Sequence, residues 1–287
     1  MIQKLALGTA QFGMHYGINN HTGQPSLEQA HEILACAYEH GVRVLDTAAA
    51  YGCSEKVIGQ LLPYFLDFRV ISKYNEKSGL SLKDALKSSL RDLGQDSLHG
   101  YLFHNADFVI QNPHTYRELL SLKNEGLVAK VGVSVYTPQQ VETLILLKIK
   151  PDMIQFPYSI FDQRFDSILG QLKDLDIELH ARSIFLQGLL LKSHKELGEH
   201  FTSISPKIKQ LEALALLWEV PVFQLCLQFG LANRLIDHVV IGVDSKENLL
   251  DNLRLPKVQN PLEPHSELAK SFRCSDENII LPFRWKL

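Results

Sequence analysis

The chain has 287 residues, 45% apolar and 21% charged, which is enough to bury a sizeable core in one large α/β barrel or two smaller domains. Its 29 basic and 32 acidic residues are scattered without runs, giving a formal charge of -3 and no electrostatic footprint for nucleic acid or an anionic membrane. A small molecule is the expected partner.

Cys36, Cys53, Cys226 and Cys274 lie far apart with no CxxC pair, and no cationic-then-apolar leader precedes Leu5. A reducing cytoplasm without disulfides is therefore expected. Apolar runs such as Leu186 to Leu191 fall well short of the roughly 20 residues that cross a bilayer.

In chain order, short β-branched or apolar runs alternate with segments whose apolar residues recur every three or four positions, the signature of repeated βα units. The predicted strands are Lys4 to Thr9, Val42 to Ala48, Arg69 to Tyr74, Gly100 to His104, Val128 to Val135, Met153 to Pro157, Glu178 to Ile184 and His238 to Val243. Between the first two, Ala30, Ile33, Leu34 and Ala37 form a helical stripe that begins at Ser26, with Gln29 placed to complete a capping box. Leu82, Ala85, Leu86, Leu90 and Leu93 form a second stripe, opened by Ser81 and closed by Gly94. Thr137-Pro138 starts the helix after the fifth strand. Helices are also predicted over Tyr116 to Asn124, Phe165 to Leu175, Pro206 to Trp218, Val222 to Leu231 and Lys246 to Asn252. No Pro/Ser/Gly-rich linker interrupts them, so one (β/α)8 TIM barrel spanning residues 1–287 is the reading. A doubly wound dinucleotide fold would need a GxGxxG turn after its first strand, and Gly8-Thr9-Ala10-Gln11-Phe12-Gly13 lacks it.

Active sites of such barrels sit at the C-terminal ends of the strands. The second strand ends in Asp46, the third in Lys73 and the fourth in His104. By alternation Asp46 shares a face with Val44, Lys73 with Ile71 and His104 with Leu102, so the three polar groups can converge above an apolar layer. Five residues past Asp46, Tyr51 follows Ala48-Ala49-Ala50, whose small side chains let the loop pack against the barrel mouth. Carbonyl reduction needs a proton for the oxygen as hydride reaches the carbon, and a tyrosine hydroxyl is a suitable donor. In this reading the Lys73 ammonium favours the phenolate and so acidifies Tyr51, Asp46 holds Lys73, and His104 stabilises the developing oxyanion. Each residue alone is more often structural, but the four together are specific.

Asp46, Tyr51, Lys73 and His104 resemble the four-residue set of the aldo-keto reductase family, and Leu45-Asp46-Thr47-Ala48 through Tyr51-Gly52 with Ser54-Glu55 is the most specific stretch. The resemblance runs from Leu7 to about Asn252. It implies a nicotinamide dinucleotide lying extended across the barrel mouth, with no Rossmann domain. It further implies that Ser134 and Gln155 hold the carboxamide and that Arg182, Ser183, Phe185, Leu186 and Gly188 cradle the nicotinamide and pyrophosphate. Arg182 stands where many relatives carry an aromatic. Gly242, Ser245, Lys246, Asn248 and Asn252 match the adenosine-phosphate segment. The arginine that commonly takes the 2′-phosphate is missing there, and Lys246 is the substitute charge in a reading of NADP(H) over NAD(H).

The segment Gln11-Phe12-Gly13-Met14-His15-Tyr16-Gly17, the stretch after Gly188 and the tail Phe283-Arg284-Trp285 are expected to line the substrate pocket. The first of these, with Arg182 to Gly188, is similar to a bacterial subgroup associated with sugar metabolism, which implies a sugar-like aldehyde or ketone. Two rivals in other classes are a nucleotide-sensing regulatory subunit and an aldolase using Lys73 as Schiff-base nucleophile, the latter opposed by Asp46. A metal hydrolase lacks its HxH or HExxH signature. No oligomeric state follows from the sequence.

Overall fold

The computed structural model describes residues 2–20, 22–254 and 262–285. Eight parallel strands run in chain order around a closed barrel: β1 (Leu5–Gly8), β2 (Val44–Asp46), β3 (Arg69–Tyr74), β4 (Leu98–Phe103), β5 (Val128–Ser134), β6 (Met153–Pro157), β7 (Glu178–Arg182) and β8 (His238–Gly242). Closure comes from β1, which places Leu7 beside Leu45 of β2 on one edge and beside Ile241 of β8 on the other.

Strand alternation separates two cores. Leu5, Leu7, Leu45, Val70, Tyr101, Phe103, Val131 and Val133 face outward and are buried against the surrounding helices. Ala6, Val44, Ile71, Leu102, Met153 and Val240 face inward as a separate apolar layer inside the barrel. Gly132 lets Met153 fill the middle of this layer. A Cβ on Gly132 would lie 2.5 Å from Met153 Cγ.

Local chemistry sets the flanking helices. Ser26 caps Leu27–Glu39 in a complete capping box with Gln29, and Ala30, Ile33, Leu34 and Ala37 are buried as the stripe requires. Ser81 caps Leu82–Leu93, which ends on Gly94 in the left-handed conformation at φ 62°. Thr137 caps Pro138–Leu146 with Gln140 completing a second box. The helix expected over Phe165 to Leu175 is instead a 3-10 turn at Arg164–Ser167 followed by a short helix at Leu169–Asp174. The break has a cause: Arg164 is drawn to Asp162 by paired guanidinium bonds of 2.8 Å, while the apolar spacing alone reads through it. Ser54–Leu61 and Ala106–Gln111 are helices that the sequence reading left unassigned, and the first has no side-chain cap to signal its start.

Below the apolar layer, at the N-terminal end of the barrel, a polar cluster is built on Glu178. Its carboxylate accepts from the Lys130 ammonium and meets His180 Nε2 at 2.7 Å, and the His238 ring lies 4.8 Å from that of His180. No single helix among the described residues is long and apolar enough to cross a membrane.

Candidate active site

A cavity of about 460 Å³ opens at the C-terminal ends of the strands, above the apolar layer. Asp46, Tyr51 and His104 line it. Lys73 is fully buried behind them. Its ammonium donates to Asp46 Oδ1 at 2.7 Å and to the Thr47 carbonyl at 2.8 Å, and Gln155 Nε2 donates to the other Asp46 oxygen at 2.7 Å. Each Asp46 oxygen thereby accepts from a donor, one on β3 and one on β6.

Tyr51 stands between these groups and the cavity. Lys73 Nζ is 5.2 Å from the centre of its ring, and the His104 ring meets it edge-on at 5.6 Å. The loop that carries it is clamped by two glycines. A Cβ on Gly13 would fall 1.7 Å from the Tyr51 carbonyl oxygen, and one on Gly52, at φ 55°, would fall 2.1 Å from the Gly13 oxygen. Only bare backbone fits at this crossing. The Ser54 hydroxyl adds a bond to the Thr9 carbonyl at 2.8 Å, and the Thr9 amide donates to the Asp46 carbonyl at 3.0 Å. These contacts explain Ser54, which the sequence showed only as part of a motif.

The electrostatics correct one sequence expectation. The Tyr51 phenol is pushed up from its ordinary value, mainly by burial and then by the Asp46 charge, with Arg182 acting in the opposite direction. Lys73 spends two of its three ammonium donors on Asp46 and Thr47, and burial and the Asp46 charge outweigh its pull on the phenol. The hydroxyl is therefore firmly protonated at neutral pH, the form a proton donor needs. Burial, followed by the charges of Lys73 and Arg182, lowers His104 to about 3, so its imidazole is neutral. Burial also draws the Lys73 ammonium below its usual range against the pull of Asp46.

The wall opposite Tyr51 is the segment after β7. Ser183, Leu186 and Gln187 adopt positive φ of 62°, 47° and 53°, with Gly188 at 97°. Strained backbone of this kind persists only where its surroundings hold it. Here the Gln187 carbonyl accepts from the Ile18 amide at 3.0 Å and the Gly188 carbonyl from Asn19 Nδ2 at 2.7 Å. The loop after β1 thus ties down the loop after β7.

A model of the Aldo/keto reductase family matches residues 4–270. The chain belongs to that family. It is similar to the uncharacterized oxidoreductase YqkF of Bacillus subtilis, 24% identical over 96% of this chain and 98% of that protein. Among solved structures it resembles an aldo-keto reductase of Bacillus halodurans in its holo form, with TM-score 0.72, 23% identity and coverage of 89% of this chain and 87% of that one. The aldo-keto reductase of Bombyx mori in complex with NADP overlays with TM-score 0.69 at 20% identity, covering 94% and 89% of the two chains.

Of the residues this aldo-keto reductase was expected to use for a cofactor, Arg182, Ser183, Phe185, Gly188, Gly242, Asn248 and Asn252 line the cavity. Ser134, Gln155, Leu186, Ser245 and Lys246 are not among its lining residues. Ser134 and Gln155 sit side by side in register at the ends of β5 and β6, both buried. Leu186 is buried in the core, and Ser245 caps Lys246–Leu253 by accepting from the Asn248 amide. Tyr16 lines the cavity as the first-loop reading anticipated, whereas Phe283 packs on the ring of Tyr136 at 4.9 Å without lining the cavity itself. Tyr136 and Asn19, in loops, and Phe223, in the helix Val222–Ala232, line it too and carried no sequence signal of their own, and so does Asp251, from the helix Lys246–Leu253.

Glu178, His180 and His238 have ligand atoms within 4.8 Å of one another, the spacing of a metal-holding group. They lie at the opposite end of the barrel from Tyr51. The Lys130 ammonium already neutralises their carboxylate.

Proposed function

We propose that this oxidoreductase reduces an aldehyde or ketone to an alcohol with a nicotinamide dinucleotide as hydride donor, Tyr51 supplying the proton. The observation that carries the reading is the protonated Tyr51 hydroxyl at the cavity wall, without a hydrogen-bond partner among the described residues and flanked by a buried Lys73–Asp46 pair at 2.7 Å and a neutral His104.

The cavity suits an extended, polar ligand. Its lining includes two buried acceptors, Gln11 Oε1 and Asn252 Oδ1, that have no hydrogen-bond partner among the described residues, and the bare backbone of Gly188 and Gly242. Orphaned buried acceptors are costly unless a ligand or water satisfies them. When bound, the dinucleotide supplies hydride to the carbonyl carbon. The nicotinamide end is assigned to the strand ends around Tyr51, Arg182 and Ser183, with Ser134 and Gln155 for its carboxamide. The adenosine end is assigned to Gly242, Ser245, Lys246, Asn248 and Asn252. NADP bound to the Bombyx mori relative supports NADP(H), with the Lys246 charge for the 2′-phosphate.

The chain's own groups divide the work. Tyr51 donates its proton to the carbonyl oxygen as negative charge grows there. Lys73 is held charged by Asp46 and stabilises the phenolate left behind. Neutral His104 donates one ring N–H to the same oxygen, an oxyanion-hole contact. Asp46 also keeps Lys73 protonated, which disfavours the Schiff-base alternative.

Fluorescence titration with NADPH and NADH, followed by a panel of aldehydes and sugars monitored by loss of nicotinamide absorbance, tests this. Saturable binding, tighter for NADPH, and turnover of at least one carbonyl compound are expected. Failure to bind either nucleotide would overturn the reading.

A further inference from the structure

Among the described residues, Arg182 in the wall of the cavity is a cation without an anionic partner. It ends β7 facing inward, because β7 places Glu178, His180 and Arg182 on one face. Its guanidinium stacks on the Tyr136 ring at 4.3 Å, donates to the Val135 carbonyl at 3.1 Å and to the Ser183 hydroxyl at 3.3 Å, and every one of these partners is neutral. A guanidinium has five N–H donors in a rigid fork, so these bonds leave donors free to serve an occupant of the cavity.

The carboxylates nearby are committed elsewhere. Asp46 accepts from Lys73 on one oxygen and from Gln155 on the other. Asp244 and Asp251 line the β8 side of the cavity, where Asp244 accepts from Asn248 and Asp251 lies 3.5 Å from Arg254. With Asp46 and Lys73 cancelling, the reacting end of the cavity carries one net positive charge. That charge acts on the groups around the reaction centre: it favours the ionised forms of Tyr51 and Tyr16 and opposes protonation of His104 and Lys73. A half-buried charge of this kind is costly until an anion meets it.

We propose that the preferred substrate is a carbonyl compound bearing a carboxylate, which the N–H donors that Arg182 leaves free beside the nicotinamide site receive while Tyr51 and His104 address the carbonyl oxygen. The Tyr136 ring and the bonds to Val135 and Ser183 hold the guanidinium in place, so the acid group is oriented as well as attracted. This rests on the reductase reading for its chemistry, but the charge imbalance stands without it.

Two measurements separate the ideas. In the first, 4-carboxybenzaldehyde and its neutral methyl ester are compared as substrates of the protein and of its Arg182→Met and Arg182→Lys variants. The expected result is a carboxylate preference in kcat/KM of about 10- to 100-fold, the worth of a charge-assisted hydrogen bond. It should collapse to near unity in Arg182→Met and be partly kept in Arg182→Lys. A wild-type ratio near one, or a ratio unchanged by Arg182→Met, overturns the proposal. In the second, calorimetric binding of benzoate against benzamide needs no turnover. Benzoate binding that Arg182→Met abolishes supports the anion site even if no aldehyde is reduced, in which case the reductase reading alone fails. Equal binding of benzoate and benzamide overturns the anion site.

Discussion

At the scale of single residues, the division of labour around Tyr51 follows from which groups are allowed to keep a charge. Lys73 is fully buried and survives as an ion only because Asp46 lies 2.7 Å away. Removing one partner of such a pair would strand the other in a low-dielectric site, an effect on the order of 3–5 kcal/mol. His104 takes the opposite course. Facing two cations in a half-buried position, it stays neutral down to about pH 3 and so keeps one ring N–H and one lone pair at every physiological pH. Its donor role needs no protonation event, so the only proton that changes place in the proposed step is the one on Tyr51. Arg182 is the exception, since its charge has no counterpart among the described residues, and that imbalance is the basis for expecting an acidic substrate.

At the scale of elements, Tyr51 is placed by loops that touch rather than by its own strand. The crossing of Gly13 with the Tyr51 backbone leaves no room for a side chain. Gly13→Ala is expected to shift the Tyr51 loop, lowering stability by about 1–3 kcal/mol, the usual cost of overpacking, and lowering kcat/KM more than tenfold. Urea unfolding and steady-state kinetics would read both, and unchanged kinetics would show that the crossing does not position Tyr51. This crossing also marks the limit of what the sequence made legible. The eight strands, their inward residues Val44, Ile71 and Leu102, and the caps at Ser26, Ser81 and Thr137 were readable because alternation and capping are local rules. The convergence of Asp46, Lys73 and His104 followed from parity alone. Tyr136 and Asn19 were not readable, because they reach the cavity through contacts between loops distant in sequence. Nor was the direction of the Tyr51 shift, which depends on how deeply the phenol is buried and on where the Lys73 donors point. The false continuity from Phe165 to Leu175 has the same origin, a side-chain pair between Arg164 and Asp162 that apolar periodicity does not register.

At the scale of the whole molecule, the barrel has two polar ends separated by an apolar layer. Both ends contribute to acid sensitivity, His104 beside Tyr51 and a second group of residues at the far end. Burial, aided by the neighbouring His180 and Arg69, lowers His238 to about 4 against the usual 6.5, while Glu178 is held well below the carboxylate range by His180 and Lys130 despite its burial. Between pH 6.5 and 4 the unfolded chain binds a proton at His238 that the folded chain refuses, so stability falls as pH falls through that window, by on the order of 2–3 kcal/mol from this group. Glu178 adds a loss below its unfolded value, where the unfolded carboxylate protonates first. His238→Phe should flatten the decline of Tm between pH 6.5 and 4.5 measured by scanning calorimetry, and a slope as steep as that of the unaltered protein would assign the acid sensitivity elsewhere. Acid stability is thus drawn from both ends of the barrel, from His104 at the mouth and from His238 and Glu178 at the other end.

In the proposed reaction Tyr51 is the proton donor of a carbonyl reduction at the mouth of this barrel. Tyr51→Phe removes one oxygen from a hydroxyl that makes no hydrogen bond to another described residue, so the fold and the nucleotide affinity should be preserved. The decisive measurement is NADPH affinity together with kcat for a reducible aldehyde in this variant. The account predicts a dissociation constant within about threefold of the unaltered protein and a fall in kcat of at least about 100-fold, the range typical of losing a general acid. Turnover that persists at an undiminished rate would contradict it.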